Sequence, residues 1–242
     1  MPKRQKYQHG VALFVVIVIV MLSMLLALWA SRTSWFGEML VGNDADYQRA
    51  FEAAQAMIQD AELDIRGEQS NGDPCKSVAN DSNICRAGNT VWFIDEEKDL
   101  GNLINTLDAQ TTKCLQGICQ KRGDKQDFWK DATTLAAMTA DGVGARYGTY
   151  TGAKTGSNSN QILNMKDAVK GAWYWVEVMP YDINPGAGLI NHDTTATNAN
   201  KSKWELSLKP PIVYRITAIA RGLKPSTQVV LQSTFARQKL KD

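Results

Sequence analysis

Two patterns of apolar residues follow one another along the first quarter of the chain. From Val11 to Ala30 the sequence reads VALFVVIVIVMLSMLLALWA, uncharged and with Ser23 as its one polar side chain. Wound as a helix it spans roughly 30 Å, the thickness of a bilayer's hydrocarbon core. Beyond it the apolar positions become periodic: Ala50, Ala54, Met57, Ile58, Ala61 and Ile65 fall on one face of a 3.6-residue helix. Gln48, Gln55, Gln59, Glu62 and Arg66 fall on the other. No proline interrupts residues 32–66. The pattern predicts one helix from Val11 to Arg66, on the order of 85 Å long, with residues 11–30 in the membrane and 31–66 amphipathic. Gly37 and Gly42 are points where it could bend, and Gly67, followed by Asn71, Gly72 and Pro74, is its stop.

Residues 67–242 then form an exported globular domain. Thr90–Ile94 reads as a short strand and Lys125–Thr139 has helical character, within a stretch over 75–140 that reads as an insertion. Gly, Thr, Ser and Asn dominate from Ala140 to Gln161, which predicts a surface loop. The clearest strands come last: Ala172–Met179, alternating around Glu177, then Ile212–Ala220 and Thr227–Ala236. Arg221–Ser226 fits a hairpin between the final two. Tyr214, Ile216, Ala218 and Ala220 share one face of the first, and Val229, Leu231, Ser233 and Phe235 one face of the second. Asp182–Ser202 reads as a long loop. The simplest way to bury both apolar surfaces is an α+β fold, with the long helix packed on an antiparallel sheet.

Charge sets the orientation. Lys3, Arg4 and Lys6 precede the apolar block, whereas Arg32, Glu38, Asp44 and Asp46 follow it, so the positive-inside rule keeps the N-terminus cytoplasmic. A conventional cleaved signal fits less well: the apolar run is too long, and Leu28-Trp29-Ala30 lacks the small residues of a cleavage site. Three of the 27 Lys and Arg lie in the first ten residues, leaving 24 against 25 acidic residues, so no basic stripe points to nucleic acid.

All four cysteines, Cys75, Cys85, Cys114 and Cys119, lie in the exported part, where an even number implies disulfides. Three connectivities are possible; Cys75–Cys85 and Cys114–Cys119 are favoured because each closes a short loop. A four-cysteine zinc site is the rival, but the paired C-x2-C spacing is missing. Catalytic chemistry has little to stand on. His9 precedes the helix, and His192 sits in a polar loop with no nucleophile motif beside it. Asp95-Glu96-Glu97 reads as a solvated turn. Gly148–Thr155 has Ala153 where a phosphate loop needs its second glycine. Trp173 and Trp175 read as core and rim of a strand rather than a sugar platform. The chain is expected to be no enzyme and to need no cofactor or metal.

A basic leader ending in glycine, ahead of such a helix, resembles a type IV prepilin. In the string Gly10-Val11-Ala12-Leu13-Phe14-Val15, Gly10 and Leu13 match the processing site, while Ala12 and Val15 depart from it. Beyond the membrane, Arg32-Thr33, Glu38, Gly42-Asn43, Asp46, Ala50-Phe51, Ala53-Ala54, Ala56 and Ala61-Glu62 resemble the PilX/PilK minor pilin family, with Leu40 where that pattern has methionine. The closing strands are loosely similar as well.

The resemblance implies that residues 1–10 are a leader removed by prepilin peptidase after Gly10, with N-methylation of Val11. It implies assembly by an inner-membrane platform beside other minor pilins, the major pilin and a large tip protein. Most pilins carry a glutamate where Val15 stands, which pairs with a neighbour's cationic N-terminus and sets the filament register. Its replacement suggests a subunit at the tip, part of the complex that initiates assembly and supports twitching, adhesion and DNA uptake. A tip-displayed adhesin, a large type II secretion pseudopilin and a membrane-tethered periplasmic protein are the alternatives.

Overall fold

The computed structural model describes residues 11–78, 81–123, 126–157, 159–180 and 211–237. The chain divides into two units, Met1–Asp46 and Tyr47–Asp242. Helix α1 covers Val11–Arg66 without interruption, so Gly37 and Gly42 do not break it. In the first unit its apolar side chains face outward along their length, from Val11 and Phe14 through Trp29 to Leu40 and Val41.

In the second unit α1 turns Ala50, Ala53, Ala54, Met57, Ala61 and Ile65 into the core, all fully buried. This is the predicted stripe, except that Ile58 lies at its half-buried margin and Ala53 joins it. The helix ends as its sequence requires. Gly67 takes a left-handed φ of 68°, and its N–H reaches the Asp64 carbonyl while that of Glu68 reaches Leu63. That paired capping leaves few last-turn carbonyls without a donor.

Five strands form one sheet in the order β1 (Cys114–Leu115), β2 (Ile118–Gln120), β3 (Gly171–Pro180), β4 (Ile212–Arg221) and β5 (Gln228–Phe235). The three C-terminal strands stand where the sequence puts them and run antiparallel, Tyr174 opposite Ala218 and Ile216 opposite Ser233. The sheet is mixed rather than wholly antiparallel, because β2 pairs with β3 in parallel, Ile118 beside Val176. The short helices are α2 (Leu100–Asp108), α3 (Ala132–Met138) and α4 (Gln161–Asn164).

Both faces of β3 are covered. Ala172, Tyr174, Val176 and Val178, with Tyr214, Ile216, Ala218, Ala220 and Val229, share a core with the alanine seam of α1. Small residues on the helix let large sheet side chains come close, and interiors pack at crystal-like density only where such sizes complement each other. On the opposite face Trp173 and Trp175 lie under Cys114, Cys119, Phe128, Leu135, Met138 and Ile219. Gly171–Val178 is therefore buried throughout, and the expected alternation around Glu177 is absent.

Three expectations need correction. Thr90–Ile94 forms no strand: Val91, Phe93 and Ile94 are buried in an irregular segment without ladder hydrogen bonds. The hairpin β1–β2 is the margin of the sheet itself rather than part of an insertion beside it. Residues 140–161 are not a surface loop, since Ala145 bridges to Tyr174 and Tyr150 and Thr151 are buried. Of Lys125–Thr139, the described part is a short 3₁₀ turn, Phe128–Lys130, followed by α3, whose start Asp131 caps through the Thr134 N–H. The loop expected over Asp182–Ser202 lies outside the described residues.

Candidate functional site

Helix α1 carries the residues that the resemblance singles out, and its two ends are built differently. At the N-terminal end an 18-residue stretch has a mean hydropathy of 3.2 and is nowhere buried within the chain. No acidic residue stands in its first turn. Val11 is 68% and Val15 46% exposed, so the position that the resemblance singles out presents an isopropyl group outward. Gly10, the leader and His9 lie outside the described residues, as does His192.

At the C-terminal end α1 is fastened by two carboxylates that sit within the apolar stripe. Asp64 accepts from Arg86 Nε at 2.9 Å and Nη2 at 2.6 Å, and from the Tyr174 hydroxyl at 2.7 Å. Arg86 also donates twice to the Gln116 carbonyl, and it lies over the Tyr150 ring at 3.8 Å and the Phe93 ring at 4.9 Å. Both charges are buried, so the pair is stable only because every neighbour is matched to it. Burial pushes the Tyr174 hydroxyl well up, with Asp64 and Asp60 adding to the rise, so it stays a donor. One turn earlier, Asp60 accepts from the Gly148 N–H at 2.8 Å and from the Thr151 hydroxyl. Burial raises its pKa from 3.8 to about 6, against the lowering effect of those two hydrogen bonds and with a further rise from Asp64.

The turn that holds Asp60 is the stretch resembling a phosphate loop. Gly148 has φ 69°, and a Cβ there would stand 1.9 Å from the Ala153 carbonyl oxygen. Its amide meets an anion, but that anion is the protein's own carboxylate. The sequence reading missed Asp60 and Asp64. Their spacing held the signal, since they lie three and seven residues beyond Met57 on the same helical face.

Two disulfides brace this arrangement. Cys75 joins Cys85 with 5.5 Å between Cα atoms, next to Arg86, and Cys114 joins Cys119 at 4.1 Å across the β1–β2 ladder. Cys85 and Arg86 both have positive φ, 60° and 53°, a conformation that side-chain-bearing residues seldom adopt. The disulfide and the ion pair hold it from either side. Among the described residues no group of His, Cys, Asp and Glu is arranged to hold a metal. Asp95, Glu96 and Glu97 are exposed, with Asp95 paired to Arg237 and Glu96 to Lys98. Trp173 and Trp175 are both 1% exposed, so neither offers a surface for a ligand to stack on.

A first stretch of α1 that is apolar and exposed among the described residues, ahead of an α+β domain into whose core the later part of α1 packs, is the architecture of a pilin-type subunit. The family comparison identifies the class more closely. A family model described as type IV pilus assembly protein PilX C-term matches residues 115–237, so the chain belongs to that family and is a minor pilin associated with the type IV pilus. The match takes in β2 to β5. No curated protein and no solved structure matches the chain. Family and exposed apolar helix together fit membrane anchoring and association with the pilus.

Proposed function

We propose that this minor pilin works at or near the pilus tip, in the complex that primes filament assembly. The observation that carries the reading is the start of α1, where Val15 stands and no carboxylate occurs before Glu38. A subunit within the shaft would face a neighbour's N-terminal ammonium at that level, and an unpaired charge in an apolar core costs several kcal/mol. At the tip there is no such neighbour, so valine costs nothing there.

On this reading prepilin peptidase cuts after Gly10 and Val11 becomes the methylated N-terminus. The N-terminus is cytoplasmic before assembly, the helix resides in the inner membrane, and the assembly platform extracts it into the filament. Its partners are other minor pilins, the major pilin and the large tip protein. The exported domain serves by shape and stability and has no turnover of its own.

Immunogold labelling of sheared pili tests the placement. Label is expected at filament ends, with fewer pili in a deletion strain and no better assembly from Val15→Glu. Label spread evenly along the shafts would remove the tip assignment.

A further inference from the structure

Outside α1 and its fastenings, the largest of the described cavities, about 540 Å³, opens beside the disulfide hairpin, between β1–β2 and α3. Its wall includes Lys113, Lys121, Arg122, Thr111, Thr133 and Met138, and among the described lining residues there is no acidic side chain. The three cations differ in what they already hold. Lys113 is paired with Asp108 at 2.8 Å. Lys121 is exposed and makes no ion pair among the described residues.

Arg122 is the unusual member. Its side chain is half-buried, and its one guanidinium hydrogen bond among the described residues goes to the Met138 sulfur at 2.8 Å. The guanidinium also lies over the Phe128 ring at 4.7 Å. A thioether is a weak acceptor, and a guanidinium carries five donors in a planar fork.

The nearest carboxylate does not fill the gap. Glu177 takes Arg215 Nε on one oxygen and Arg215 Nη2 together with the Arg122 backbone N–H on the other, so its charge is already matched. Burial lowers the Arg122 pKa, with Glu177 opposing and Arg215 adding to the effect. Asp131 is occupied with Thr134 at the start of α3, and Asp127 with Lys130. The pocket thus concentrates positive charge that its described surroundings do not neutralise, beside a hairpin closed by the Cys114–Cys119 bond.

We propose that this cavity is a binding site for an oxyanion, a carboxylate or phosphate group carried by a ligand, with Arg122 as the fork and Lys121 as the second charge. Threonine hydroxyls at the wall supply further donors, and the volume lies within the range of small-ligand sites.

Titration calorimetry of the full-length chain in nonionic detergent and low-salt buffer tests it, with inorganic tripolyphosphate and a tetraglutamate peptide as separate probes. Saturable binding is expected with at least one. Arg122→Gln should weaken it about tenfold or more, the loss of one charge-assisted contact. Lys121→Gln, at an exposed side chain on which no described contact depends, should weaken it by a smaller factor without altering the fold. Binding of tripolyphosphate alone assigns a phosphate, of the peptide alone a carboxylate, and of both a site that reads charge. Absence of saturable binding, or equal binding by wild type and both variants, would each overturn the proposal.

Discussion

Replacing Asp60 with asparagine isolates the electrostatic cost of fastening α1 through a buried carboxylate. The folded-state pKa of about 6 stands above the ordinary value of 3.8. Between those values the folded chain binds a proton that the unfolded chain releases, so Asp60 makes stability fall as pH rises through that window. The contribution is fully present below pH 3.8 and gone above pH 6. At about 1.4 kcal/mol per pH unit the change is about 3 kcal/mol. Asparagine has no such titration and can keep both contacts, its oxygen accepting from Gly148 N–H and its amide donating to the Thr151 hydroxyl oxygen. Urea unfolding of full-length wild type and Asp60→Asn in detergent, followed by tryptophan fluorescence from pH 4 to pH 7, measures the difference. The variant should gain on wild type by about 2–3 kcal/mol across that range. A gap between the two proteins that does not vary with pH would show that Asp60 is an ordinary carboxylate and refute the reasoning.

Other tests address separate features. Arg86→Met strands the Asp64 charge in the core and should cost about 3–5 kcal/mol, whereas Arg86→Met combined with Asp64→Leu should recover most of it; urea midpoints decide, and a double variant as unstable as the single would count against the ion pair. Thiol labelling of unfolded, unreduced protein should find no reactive cysteine, and replacing Cys75 and Cys85 together by serine should lower stability by about 2–4 kcal/mol. Intact mass from peptidase-proficient cells should correspond to a chain beginning at Val11 with one added methyl group; an unprocessed mass would remove the prepilin reading.

What the sequence made legible was what repeats locally. The apolar block of Val11–Ala30, the seam from Ala50 to Ile65, the stop at Gly67 and strands β3 to β5 all announce themselves within a few residues of their own positions. The hairpin β1–β2 did not. Its turn is Gln116-Gly117, with φ of 52° and 80°, the pair of left-handed residues that a two-residue hairpin needs but without the Asn-Gly that signals it. Its parallel union with β3 joins Cys119 to Glu177 across 58 positions, a separation over which no local pattern speaks. Thr90–Ile94 misled in the opposite sense: it has the composition of a strand, yet Trp92 is 57% exposed and its backbone finds no ladder partner. At the site the asymmetry is similar. The resemblance drew attention to Gly10, Val11 and Val15, while Asp60 and Asp64 went unnoticed because acidic residues in an amphipathic helix are ordinarily read as its wet side.

Those two carboxylates reinforce a register that the apolar seam begins to set. Ala50, Ala53, Ala54 and Ala61 bring helix and sheet close around Met57 and Ile65, and a slide of one turn, about 5.4 Å, would put Met57 into the space of an alanine and an alanine into the space of Met57. Apolar contact therefore already disfavours neighbouring registers, through an overpacked site and a cavity. Asp60 and Asp64 stand one turn apart and face dissimilar partners, an amide and hydroxyl for the first, a guanidinium and phenol for the second. A slip in one direction carries Asp64 to the partners of Asp60 and leaves Arg86 and Asp60 unmatched; a slip in the other carries Asp60 to Arg86 and leaves Asp64 unmatched, at a cost of several kcal/mol. Burial of charge adds little net stability by itself, but it makes one register far better than its neighbours. On the function proposed above that distinction matters, because a helix pulled by the assembly machinery then cannot slide past its own sheet.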